Sequence, residues 1–282
     1  MDDFISLNGE IISADRATIS PFDRGFLYGD GLFETMRAYN GCVHLLRRHL
    51  VRLRESAAFL NIPIPAADDL IIAIERTIIA NNIRDAALRL TVTRGVGGSA
   101  FDTDIERRPT VIIAARRLPE RKSEDGENII TLSAVHYPPS LGKRVKSLDY
   151  TIAANCAAEM KIARAREGIL LTDNGIVASG SVSNIFMISG GDLITPPRSL
   201  GILPGITRGR VLELAAVCSL NAREEIFDCD ALFDADECFY TNSLREIVPV
   251  SSIDGRAIRG LGSAYTEMLL KNYRAETPNE LL

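Results

Sequence analysis

The chain has 282 residues, more than one small core normally fills, so two packed lobes are expected. Apolar residues at 46% and charged residues at 24% exclude global disorder, and a net charge of −5 leaves no basic surplus for a dedicated nucleic-acid binder. Five cysteines without CxxC spacing argue against zinc and a disulfide framework; an acidic start lacking an apolar h-region predicts no signal peptide, and with no run of transmembrane length a cytoplasmic protein is expected.

In chain order, "FISL" and "EIIS" around Asn8-Gly9 predict a hairpin with a type I′ turn. The next stretch, "ISPFDRGFLYGDGLFETMRAYNG", reads as a loop: too rich in Gly for a helix, too charged for a buried strand. Leu46, Leu50, Leu53, Ala57 and Leu60 recur at helical spacing, with Arg47, Arg48 and Arg54 facing elsewhere. A second helix is predicted from about Asp69 to Asn81. "AALRLTVTRG" alternates as a strand, and "TVIIAAR" reads as a strand buried on both faces. The charged "LPERKSEDGEN" marks a linker. It gives a small N-terminal α/β domain over 1–118, a linker over 119–128 and a larger C-terminal domain over 129–282.

The second lobe opens with the strand "IITLSAV". A helix, "TIAANCAAEMKIARAREG", is expected to end at Gly168. A hairpin with Asn174-Gly175 at its tip leads to "ASGSVSN", a turn in which no side chain between Ala178 and Asn184 can carry a charge. The strand "NIFMIS" follows, then a helix starting near Ile206 after Pro204-Gly205, and a strand "ECFYTNS" ending in a polar turn before "EIVPV". The fold class is α/β, in its α+β variant.

Four constellations could carry chemistry. Lys146 sits in "RVKSLDY", in largely uncharged and aromatic company; a lysine that loses solvation becomes a nucleophilic amine, though a solvated surface lysine is the more frequent case. The helix start in "LPGITRGR" offers free N–H groups at Gly205, Ile206 and Thr207, with the Thr207 hydroxyl, as an anion cup. The turn Thr241-Asn242-Ser243 offers hydroxyls and N–H groups again. Asp23, Arg24, Tyr28 and Glu34 crowd the early segment, and Arg52 on the next helix becomes a phosphate clamp if it lies beside the anion-binding turns. Singly, each has an ordinary structural reading. Together they ask for a small phosphorylated aldehyde.

In order, "DRGFLYGDGLFETMR", "HLVRL", "KSLDY", "SVSNIF", "ILPGITR" and "ADECFYTNSLREIVPV" resemble the successive motifs of the class IV (fold-type IV) pyridoxal-phosphate enzymes. That family contains branched-chain and D-amino-acid aminotransferases and 4-amino-4-deoxychorismate lyases, and the resemblance covers nearly the whole chain. It implies two α/β lobes with pyridoxal 5′-phosphate between them, and a homodimer in which the early loop of one subunit completes the other's site. It implies that Lys146 is the Schiff-base lysine and proton shuttle, and that Arg52, Ile206, Thr207 and Ser243 hold the phosphate. Tyr150 approaches the cofactor's phenolic oxygen, while Tyr28 and the backbone at Ser243-Leu244 shape the substrate side. The implied reaction moves an amino group between an amino acid and a 2-oxo acid. The early loop is most like the D-amino-acid branch.

Two departures stand out. The family pattern resembles E-G-x-x-S-N, and its glutamate keeps the pyridine nitrogen protonated; here the pattern reads S-G-S-V-S-N, with Ser179 at the glutamate position. Losing such a charge-assisted hydrogen bond costs about 1.5–3 kcal/mol, which weakens a transaminase and slightly favours lyase chemistry. In "TRGVGGSAFD", Ser99-Ala100-Phe101 stands where the D-amino-acid enzymes carry an R-x-H pair, and Ser99 stands where the lyases tend to show an arginine. Arg89, Arg24 and Arg37 remain to meet a substrate carboxylate, with ion pairs to Asp23, Asp30 or Glu34 as the alternative.

Overall fold

A computed structural model describes residues 3–99, 101–102, 108–118, 126–133, 145–259 and 264–277. Most of the expected linker, 119–125, and Ala100 lie outside the described residues. The chain divides into two compact units. One gathers the described residues of Met1–Glu120, Val145–Asp149 and Thr277–Leu282; the other gathers those of Arg121–Arg144 and Tyr150–Glu276.

The first unit contains β1 (Phe4–Leu7), β2 (Glu10–Ser13), α1 (Arg24–Tyr28), β3 (Gly31–Tyr39), β4 (Cys42–Val43), α2 (Leu46–Leu60), α3 (Ala67–Asn81), β5 (Ala86–Thr93) and β6 (Val111–Arg117). Among the described residues its sheet runs β2-β1-β6-β5-β3-β4, antiparallel throughout. Asn8 and Gly9 both take positive φ, 53° and 89°, as the predicted type I′ turn requires. The apolar faces of α2 and α3 cover one side of the sheet, with Leu50, Leu53, Ala57, Leu70 and Ile74 packed on Leu32, Met36, Leu88 and Leu90.

The expected loop over the Gly-rich segment is instead α1 and β3. Asp23 caps α1 by accepting from the Gly25 N–H, and Gly29 closes it in the left-handed conformation. β3 is a long, mostly buried strand, because its charged Glu34 finds partners inside. β6 also differs from expectation: Val111, Ile113 and Ala115 are buried, while Ile112 and Ala114 between them are half-buried.

The second unit contains β7 (Glu127–Thr131), α4 (Thr151–Ala163), β8 (Glu167–Leu171), β9 (Val177–Gly180), β10 (Asn184–Ser189), β11 (Asp192–Thr195), α5 (Ile206–Leu214), β12 (Asn221–Glu224), α6 (Cys229–Asp234), β13 (Glu237–Asn242), β14 (Glu246–Ile253), β15 (Arg256–Ala257) and α7 (Ala264–Ala275). Its sheet runs β12-β11-β10-β13-β14-β7-β8-β9 among the described residues, with β15 beside β14. Two cores lie against it. Ile129, Ile169, Val177, Ile185, Tyr240 and Val248 belong to one; Leu132, Cys156, Leu170, Ala178 and Ile202 belong to the other.

Helix α4 does not end at Gly168. Arg164 caps it in the left-handed conformation, and Gly168 lies inside β8, where a Cβ would come within 2.6 Å of Leu132. That glycine serves close packing, not a helix stop.

Candidate active site

In the first unit, the site is assembled by strand pairing. The outer edge of β3 pairs with β4 at one end, Ala38 opposite Val43. At its other end it pairs with Val145–Leu148: the Phe33 N–H donates to the Lys146 carbonyl at 2.9 Å, and the Leu148 N–H donates to the Gly31 carbonyl at 3.0 Å. Gly31 is needed there, since a Cβ would meet Leu148 and the Val92 carbonyl, each at 2.6 Å.

This pairing brings Lys146 onto a built platform. Its Nζ lies 4.4 Å from the Phe33 ring centroid, and the Arg89 guanidinium lies 3.9 Å from the same ring. Burial pushes the Lys146 ammonium down to about 8, with the Arg52 charge adding, Glu34 opposing and Arg89 adding. The lysine is half-buried against that ring rather than fully solvated.

Beside it lies a cluster the sequence reading did not assemble. Glu34 accepts from Arg52 Nε at 2.8 Å and from Arg52 NH2 at 2.6 Å, and His49 Nδ1 lies 2.7 Å from Glu34 Oε2. All three side chains are buried. Burial alone would raise the Glu34 carboxyl, but the Arg52 charge and the hydrogen bonds from His49 and Arg52 hold it at about 2. Burial holds His49 below its ordinary value against the pull of Glu34, so at neutral pH the ring is uncharged and its Nδ1–H donates to the carboxylate. Arg52, expected as a phosphate clamp, is thus committed through two nitrogens to Glu34. The signal for Glu34 was its step with Leu32, Met36 and Ala38, every second residue of a buried strand face.

Of the other arginines, Arg24 is not free to meet a carboxylate from outside. Its Nε donates to Asp30 at 2.8 Å, Arg94 holds the same carboxylate from Nε at 2.7 Å, and Arg24 also donates to the Ser99 carbonyl. Arg37 stacks on Tyr39 at 4.4 Å. Arg89 alone of the three candidates is brought beside Lys146. Tyr28 lies under the Arg24 guanidinium, 5.4 Å from it, and is exposed.

In the second unit, Ser179 is placed by a β-bulge. Ile169 pairs with Gly180 and Leu170 with Ser179, but Leu171 pairs with Val177, which leaves Ala178 as the extra residue. The bulge leaves Ser179 directly opposite Leu170. Its hydroxyl is buried and donates to the Gly180 carbonyl at 2.8 Å. A buried carboxylate does lie near, Glu167, which accepts from the Gly168 N–H at 2.9 Å, the Ser181 N–H at 3.0 Å and the Ser181 hydroxyl. It stands on the Gly180 side of the strand, away from Ser179.

Helix α5 begins at Ile206 as predicted, and no side chain caps it at Gly205. A Cβ on Gly205 would meet Asn184 Oδ1 at 2.0 Å, so only glycine lets the helix start approach Asn184, whose Nδ2 donates to the Leu203 carbonyl at 3.2 Å. The Thr207 hydroxyl is buried, 3.4 Å from the Tyr273 hydroxyl. Thr241 pairs with Asn184 across β13 and β10. The backbone at Leu244, expected to shape the substrate side, is already engaged: Asn242 Oδ1 accepts from the Leu244 N–H at 3.1 Å and the Arg245 N–H at 2.8 Å. Ser243 lies in that turn, half-buried, and Tyr150 sits exposed at the N-cap of α4.

In the second unit, the polar groups left open suit an anionic ligand. The Ser183 and Thr241 hydroxyls are buried with no hydrogen-bond partner among the described residues, and the start of α5 is uncapped. In the first unit, Lys146 offers a half-buried amine. Among the described residues no group of His, Cys, Asp and Glu could hold a metal ion, and no helix is long and apolar enough to cross a membrane.

The fold and site define a pyridoxal-phosphate enzyme of fold type IV. Residues 31–253 match the family described as amino-transferase class IV, and the chain belongs to that family. It is 42% identical over 256 residues to a putative branched-chain-amino-acid aminotransferase of Methanocaldococcus jannaschii, covering 90% of this chain and 89% of that one. It is 33% identical to an aminodeoxychorismate lyase of Bacillus subtilis, covering 98% and 95%. It is 31% identical to a D-alanine aminotransferase of Bacillus licheniformis, covering 99% and 97%. The branched-chain aminotransferase structure from Escherichia coli superimposes with a TM-score of 0.92 at 28% identity, covering 100% of this chain and 97% of that one.

Proposed function

We propose that this protein is a transaminase that moves the amino group of an amino acid onto a 2-oxo acid, with Lys146 as the amine that carries the cofactor. The observation that supports it most is the Phe33 platform, which places the Lys146 amine and the Arg89 guanidinium on one ring. Bound pyridoxal 5′-phosphate supplies the carbonyl that takes the amino group and the ring into which charge drains. Arg52, the N–H groups of Ile206 and Thr207, and Ser243 would hold its phosphate; Tyr150 would meet its phenolic oxygen, and Ser179 its ring nitrogen. Lys146, whose ammonium is pushed down to about 8, takes the proton from the substrate Cα and returns it. Arg89 orients the substrate carboxylate by a charge-assisted bond.

For the donor, the early loop pointed to D-amino acids. The R-x-H pair is absent at Ser99–Phe101. The relative at 42% identity is a putative branched-chain enzyme. We therefore place branched-chain L-amino acids first and D-alanine second. A second reading, 4-amino-4-deoxychorismate lyase, is favoured by the uncharged Ser179 and by the lyase at 33% identity.

A homodimer is part of the proposal. The segment around α1 is tied to residues 95–99 by Arg24 N–H to the Gly95 carbonyl and Gly97 N–H to the Phe22 carbonyl. These segments present Phe22, Phe26, Leu27, Tyr28 and Val96 to the outside, Phe26 at 76% exposure, with Phe101 at 92% just beyond. A second subunit would cover them, and Tyr28 would then serve the partner's substrate.

The test mixes the cofactor-loaded protein with L-leucine, D-alanine and 4-amino-4-deoxychorismate in turn. Conversion of the visible absorbance to that of the pyridoxamine form by L-leucine supports the proposal. Pyruvate release from aminodeoxychorismate without that conversion, and no response to either amino acid, would replace it with the lyase reading.

A further inference from the structure

We infer that Glu34 is a positioning residue for Arg52: by chelating Nε and NH2 of its guanidinium, it fixes the plane in which Arg52 meets the phosphate of the cofactor. This rests on the reading of Arg52 as a phosphate ligand. The geometry goes further than an ordinary ion pair. Glu34 takes the Nε and NH2 edge of the fork at 2.8 and 2.6 Å. His49, three residues before Arg52 on the same face of α2, lies against the same Oε2 at 2.7 Å. The carboxylate is held from two points of one helix and cannot turn without releasing a donor.

A purely structural role explains this poorly. Position 34 is in step with Leu32, Met36 and Ala38 on the buried face of β3. An apolar side chain fills such a place at no desolvation cost, and buried ion pairs are often no more stabilising than the apolar residues that replace them. What the carboxylate adds is direction. An arginine side chain has four rotatable bonds, and chelation at two nitrogens leaves one orientation.

The experiment compares the affinity of the full-length cofactor-free protein for pyridoxal 5′-phosphate and for pyridoxal. Both aldehydes react with Lys146, so the ratio cancels any change in that amine, including the one caused by removing the Glu34 charge. Arg52→Met should cut the preference for the phosphorylated compound by about 10- to 100-fold. Glu34→Gln should cut it by about 5- to 30-fold, and should cut it no further in an Arg52→Met background. Circular dichroism checks folding; if Glu34→Gln does not fold, Glu34→Asp, which keeps the charge but shortens the reach, should still lower the preference. The inference is overturned if either Glu34 variant folds and keeps the full preference, or if the losses from Glu34→Gln and Arg52→Met simply multiply. If Arg52→Met itself keeps the preference, the phosphate reading fails and takes the inference with it. Loss in Arg52→Met without loss in either Glu34 variant removes the inference alone.

Discussion

The candidate residues of the two units are of opposite polar kinds. In the first, charges are gathered and compensated: Glu34 is flanked by Arg52 and His49, Asp30 by Arg24 and Arg94, and Lys146 and Arg89 lie on one aromatic ring. In the second, the candidate residues Ser179, Ile206, Thr207 and Ser243 are uncharged, and two of the buried hydroxyls, on Ser183 and Thr241, have no partner among the described residues. The contrast separates two tasks. A reacting amine needs its basicity set, which takes burial and neighbouring charge. A dianion needs donors that do not collapse onto each other, which takes N–H groups and hydroxyls on rigid turns.

The largest effect expected comes from removing the reacting group of the charged region. Lys146→Ala should abolish the visible absorbance of the bound cofactor and lower turnover by about 10³-fold or more. Persistence of that absorbance would break the assignment of the amine to the first unit.

The same region should set a pH dependence. The Lys146 amine is held down to about 8, chiefly by burial. Below that value it is protonated and unreactive; above it, neutral. Capture of pyridoxal 5′-phosphate by the cofactor-free protein should therefore rise about tenfold per pH unit up to about pH 8 and then level off. Capture that climbs towards pH 10 would return Lys146 to the solvated class.

In the uncharged region, Ser179→Glu should raise transamination by about 10- to 100-fold while altering cofactor affinity by less than about 3-fold. An unchanged or lower rate would mark the serine as fitted to other chemistry and bring the lyase forward. The smallest effect concerns the close approach at α5. Gly205→Ala places a Cβ 2.0 Å from Asn184 Oδ1, and should cost about 1–3 kcal/mol of stability, a few degrees in melting temperature. An unshifted melting curve would show that the helix start can retreat from Asn184 freely.

How much of this was legible beforehand follows the same division. Lys146, Arg52, Ile206 and Thr207 lie in short ordered motifs, and the turn at Asn8-Gly9 and the start of α5 obey local rules of backbone conformation. Glu34 lies in a segment that reads as a loop, because Gly25, Gly29, Gly31 and five charged residues mask an alternating strand. Only a tertiary partner, Arg52 from the next helix, makes a carboxylate tolerable in that strand. His49 was missed for the same reason. The bulge at Ala178 has no sequence signal, since nothing in "IVASG" shows that two residues will oppose one. Gly168 fits a helix stop by local rules, and its real constraint is contact with Leu132, just past the end of β7. Local chemistry was readable; long-range compensation of charge and register was not.

The central claim is that strand pairing with β3 makes Lys146 the reacting amine. It is tested most directly by adding pyridoxal 5′-phosphate to the protein, reducing with borohydride and mapping the modified peptide by mass spectrometry. The account predicts a single pyridoxyl group, on Lys146. Stoichiometric labelling of another lysine, such as Lys161 or Lys271, with Lys146 unmodified would contradict it.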